Sequence, residues 1–129
     1  FKESAFSRPK LEERLNDLVY QNIFRPDIVV VDGYDFAEAD YESIVDLKEM
    51  MASMNVEVWF SALRHRDDER ASAAGVPAPC HEVDGLFDTV VLVQPEKEGI
   101  LLNIIKDEYD GAAGKILNLD PSTMMVKEA

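Results

Sequence analysis

The chain has 129 residues, 47% of them hydrophobic, enough for a single α/β domain over 1–129 with its own core and too few for two independent ones. Its 26 acidic against 13 basic residues give a formal net charge of −13, which disfavours nonspecific binding to a nucleic-acid backbone or an anionic membrane surface. A single cysteine, Cys80, excludes an internal disulfide and a thiolate-rich zinc site and suits a reducing, cytoplasmic setting, and no apolar run approaches the ~20 residues that span a bilayer.

The first predicted element is an amphipathic helix over 10–23, with Leu11, Leu15, Leu18, Val19 and Ile23 on one side and Glu12, Glu13, Asn16 and Asp17 on the other. Pro9 suits its first turn, and Pro26 ends it by pushing Arg25 out of helical geometry. The run DIVVV (27–31) has no alternation and predicts a parallel-type strand covered on both faces, left through a sharp turn at Gly33. A second helix is expected over 38–55, its stripe made by Ile44, Leu47, Met51 and Met54, with Glu38, Asp40 and Glu42 at the positive end of the helix dipole. VEVWFSAL (56–63) then predicts a second buried strand with Trp59 in the core.

From Arg66 to Asp84 the chain is rich in Ala, Pro and charge and is expected to be a loop, with room for one short helix and with RHRDDER pairing its own charges. DTVVLVQP (88–95) and GILLNIIKD (99–107), separated only by EKE, predict an antiparallel hairpin. GKILNLD (114–120) gives a last strand, and STMMV extends or pairs with it. The methionines are most simply gap-filling core residues. The order predicts parallel strands flanked by helices and extended by an antiparallel C-terminal hairpin.

Asp32 stands at the carboxyl end of the first strand, where open parallel sheets collect ligands. A carboxylate fixed there could hold a hard cation such as Mg²⁺, which takes oxygen ligands; it could equally open a turn or cap the next helix. The wider order of motifs narrows the choice. A helix leads into Pro26, Asp27, four apolar residues and Asp32; a helix follows, and WFSALRHR ends the next strand with polar and basic residues. The chain then closes on the hairpin and a glycine-introduced strand. Over nearly its whole length this resembles the second half of the RecA-like P-loop ATPase core.

The resemblance implies a partial RecA-like P-loop fold in which Asp32 is the Walker B aspartate that positions Mg²⁺ beside ATP. It also implies that Ser61 to His65 sense the terminal phosphate or orient water, and that Lys106 reaches a nucleotide across a subunit interface. Two departures limit it: Glu108 stands where many hexamer-forming relatives carry Arg, and no GxxxxGK(S/T) phosphate loop occurs. The chain alone is therefore not expected to hydrolyse ATP. A start without Met suggests a piece of a longer protein, and a core lacking strands predicts self-association through an exposed sheet edge.

Two other readings stay open. VVVDGYD is similar to the first strand of NYN/PIN-like ribonucleases, which would need further metal-holding acids from among Asp35, Asp67, Asp68 and Asp88. A noncatalytic interaction domain would make Asp32 merely structural. His81 and Cys80 lack ligand or triad spacing and are expected to be loop residues.

Overall fold

The computed structural model describes residues 8–21, 25–64 and 67–127. The chain divides into two compact units, Phe1–His65 and Arg66–Ala129, each with its own sheet.

The first unit runs α1 (Arg8–Tyr20), β1 (Ile28–Val31), α2 (Tyr41–Ser53) and β2 (Glu57–Phe60). β1 and β2 pair in parallel, with Ile28 opposite Glu57 and Val31 opposite Phe60, through the crossover helix that such a pair requires. α1 begins earlier than the sequence predicts, and Ile23 lies outside the described residues. α2 is shorter than expected at both ends. Asp40 is its N-cap, its carboxylate accepting the Ser43 N–H at 2.7 Å, so that acid precedes the helix rather than lying within it. Asn55 ends the helix with φ +57, a left-handed geometry that asparagine tolerates better than most residues.

The core of this unit joins Leu11 and Leu15 of α1 to Leu47, Met50 and Met51 of α2 and to Val56, with Val29, Val58 and Phe60 packed against them. Arg8 adds a tie between the helices, pairing with Glu12 at 2.7 Å and Asp46 at 3.3 Å. The expected two-sided burial of β1 is corrected here. The alternate residues Ile28, Val30 and Trp59 are exposed, because both helices pack on the side that carries Val29, Val58 and Phe60. Trp59 is thus not a core residue; its Nε1–H donates to Glu57 Oε1 at 2.6 Å.

The second unit contains a 3-10 helix (Asp84–Leu86) and the antiparallel strands β3 (Thr89–Pro95), β4 (Ile100–Asp107) and β5 (Ile116–Leu119) in that spatial order. Among the described residues the hairpin therefore belongs to its own three-stranded sheet, a correction to the expectation that it extends the parallel strands. A bulge at Val90/Val91 shifts the β3–β4 register. Gly99 at the start of β4 is needed for closeness: an added Cβ would lie 3.1 Å from the Leu119 carbonyl oxygen and 2.4 Å from Asn118 Oδ1.

The segment before this sheet is more ordered than its composition suggests. Ala71 bridges Pro77, Ser72 caps the turn by accepting the Val76 N–H, and Val76, Ala78 and Val83 are buried. Asp68 and Arg70 pair at 2.7 Å, as the self-paired reading of RHRDDER expects. After β5 the chain folds back so that Val126 bridges Leu119. Met124 and Met125 are exposed there, so the expectation of core methionines holds for Met50 and Met51 but not for this pair. No helix among the described residues is long and apolar enough to cross a membrane.

Candidate functional site

The carboxyl ends of β1 and β2 lie side by side because parallel register carries both strands out of the sheet at the same edge. There the backbone of Ser61 is held from both directions: its N–H donates to the Val31 carbonyl at 3.0 Å, and its carbonyl accepts the Tyr34 N–H at 3.0 Å. The Ser61 hydroxyl donates to Asp32 Oδ1 at 2.5 Å and accepts the Gly33 N–H at 2.8 Å. Gly33 takes φ +70 in the turn, a left-handed conformation that costs glycine little. Asp32 and Ser61, two of the sequence-predicted site residues, are thereby brought together.

Asp35 and Asp40 have local duties. Asp35 Oδ1 accepts the N–H groups of Ala37 and Glu38 at 3.2 and 3.3 Å, and Asp40 caps α2. The Asp40 carboxyl is held below its ordinary value by the hydrogen bonds from Ser43. Asp32 makes no such local bond among the described residues. Its partner lies 29 positions along the chain, and its second carboxylate oxygen has no hydrogen-bond partner among the described residues.

Next to this edge, Tyr34, Phe36 and Phe60 form a mutually edge-on aromatic cluster with centroids 4.8 to 5.6 Å apart. Partial burial pushes the Tyr34 phenol above its ordinary value, assisted by the negative charges of Asp40 and Asp35. The cluster buries Phe36 and anchors the turn that carries Asp32. Sequence reasoning missed it, although the alternation of aromatic residues in DGYDF and the Phe60 just before Ser61 carry its signal.

The other predicted site residues are placed differently. His65 lies outside the described residues. Lys106 belongs to the second unit, where its Nζ donates to the Asp84 carbonyl and pairs with Glu108 Oε1, both at 3.1 Å. Two of its three donors are engaged there. Glu108, expected only as the absence of a trans-acting arginine, is thus the ion-pair partner of the lysine.

Of the acids weighed for a nuclease, Asp68 is tied to Arg70 and Asp88 accepts the Tyr109 hydroxyl. No group of three His, Cys, Asp or Glu side chains among the described residues could hold a metal ion. His81 is largely buried, with its Nε2 3.9 Å from Glu82. Burial pushes the Cys80 thiol up to about 11, away from the range of a reactive thiolate.

The site can therefore present one oriented, solvent-accessible carboxylate, suited to a hard divalent cation or to its bound water. No protein-family model matches the chain, and no curated protein matches it.

Proposed function

We propose that the chain is the C-terminal part of a RecA-like ATP-binding protein, in which Asp32 positions the Mg²⁺ that accompanies the nucleotide. One observation carries the reading: Asp32 is held at the carboxyl end of a parallel strand by the end of the neighbouring strand, through Ser61, and not by its own turn. That is the arrangement in which a rigid sheet fixes a metal-directed oxygen, and the crossover α2 between β1 and β2 agrees with it. The antiparallel β3–β4–β5 tail is consistent in order with the same core, and Lys106 is its candidate for contact with a nucleotide held by another subunit.

Without a phosphate-binding loop, ATP hydrolysis belongs to the intact protein and not to residues 1–129 alone. The test is hydrolysis of ATP by the polypeptide encoded by the whole gene, with Asp32→Asn beside it. Loss of metal positioning is expected to lower the turnover number by about 10²-fold or more, as removal of one preorganised electrostatic group commonly does. A gene without an upstream glycine-rich phosphate loop, or an Asn variant as fast as wild type, overturns the proposal. The same reading has the chain self-associate through an open edge of its parallel sheet, and a concentration-independent monomer in sedimentation refutes that part.

A further inference from the structure

A serine hydroxyl offers a single proton, and that of Ser61 is engaged by the Asp32 carboxylate while its oxygen receives the Gly33 N–H. With the Asp32 bond in place, Ser61 cannot also donate to a phosphate oxygen. Its backbone, moreover, is pinned at 3.0 Å on both sides, to Val31 of β1 and to Tyr34 in the turn that follows, so the hydroxyl has a defined origin from which to hold the acid. A hydrogen bond to an ionised carboxylate is about twice as strong as a neutral one, enough to select among the rotamers of an exposed aspartate.

We infer that Ser61 is a positioning residue for Asp32 and not a phosphate sensor: it fixes one carboxylate oxygen across the strand ends and leaves the other for a divalent cation. The cation in this statement rests on the function proposed above; the fixing of Asp32 rests on the hydrogen bonds alone.

The inference is tested in the uniformly ¹³C- and ¹⁵N-labelled chain by three-bond couplings from the Asp32 backbone nitrogen and carbonyl carbon to its side-chain carboxyl carbon, which report the first side-chain torsion. A single rotamer is expected in wild type and Ser61→Thr, and averaging over several in Ser61→Ala. Loss of the acceptor should also speed Gly33 amide exchange about tenfold in the Ala variant, the scale of one hydrogen bond. The methyl signals of Ile44 and Leu47 should stay in place, because Ser61 retains its backbone bonds in every variant. A single Asp32 rotamer in Ser61→Ala, or averaged couplings in wild type, overturns the positioning role.

Mn²⁺, added as chloride to the same samples, addresses the cation separately. Selective broadening of the Asp32 and Gly33 amides should need severalfold more Mn²⁺ in Ser61→Ala than in wild type and should vanish in Asp32→Asn. No selective broadening in wild type would overturn the cation assignment, while the couplings still decide the role of Ser61.

Discussion

Replacing Leu47 by Ala tests the one-sided packing of the parallel sheet. Leu47 is 2% exposed and sits among Leu11, Leu15, Met50, Met51 and Val56, where the lost methyl groups leave a cavity between two helices. Such a truncation costs about 3 kcal/mol, while a unit of this size has a total stability of about 3–10 kcal/mol. With a urea slope of about 1 kcal/mol per molar, the midpoint of the first unit should fall by about 3 M or the unit should unfold outright. Val30, 68% exposed on the opposite face, supplies the contrast: Val30→Ala removes little buried surface and should cost about 0.5 kcal/mol. The assay is urea titration followed by Trp59 fluorescence, which reads the first unit alone because the chain has one tryptophan. A Val30→Ala loss equal to that of Leu47→Ala would mean that the outer face is covered in solution, and a Leu47→Ala shift under about 1 M would refute the helix-covered core.

The Cys80 thiol, raised by burial from 9.0 to about 11, should react with iodoacetamide at pH 8 about a hundredfold more slowly than an ordinary cysteine, because the thiolate is the nucleophile; alkylation followed by mass spectrometry at the ordinary rate would refute its burial. The lowered Asp40 carboxyl means that the folded state binds a proton there less readily than the unfolded chain, so its support for α2 is complete above the ordinary carboxylate range and is lost as pH falls through the folded value. Acid titration by circular dichroism should accordingly show wild type losing part of its advantage over Asp40→Asn below about pH 4, and parallel stability curves for the two would refute the charge-dependent part of the cap.

Much of the local structure is legible in the sequence, because it follows from short-range rules. The stripe of Ile44, Leu47 and Met51 specifies α2, and the short spacer between VVLVQP and ILLNII specifies the hairpin. What is not legible depends on which surfaces are covered. IVVV carries no alternation, so nothing in it distinguishes a strand buried on both faces from one whose Ile28 and Val30 stay exposed. The assignment of Trp59 to the core failed for the same reason, and that of Met124 and Met125 failed because an apolar side chain in a terminal turn has no periodicity to place it. The separation of the hairpin into its own sheet is equally invisible, since strand order between distant segments is not encoded in local pattern.

The candidate site shows the same division. Asp32 could be singled out from its position after an apolar strand, but so could Asp35 and Asp40, and composition alone cannot rank three aspartates within nine residues. Hydrogen-bond range does rank them. Asp35 and Asp40 accept amides two or three positions ahead, the behaviour that makes aspartate common in turns and caps, and Asp107 and Asp120 do the same elsewhere in the chain. A carboxylate of that kind is satisfied by its own loop, and Asn or Ser can take over its hydrogen-bond acceptance though not its charge. Asp32 is held across the strand ends by the residue that follows β2, so the turn and the helix cap are already supplied by its neighbours. The turn therefore does not require an acid at position 32, and under the proposed function the oriented oxygen that results is the one directed at the cation.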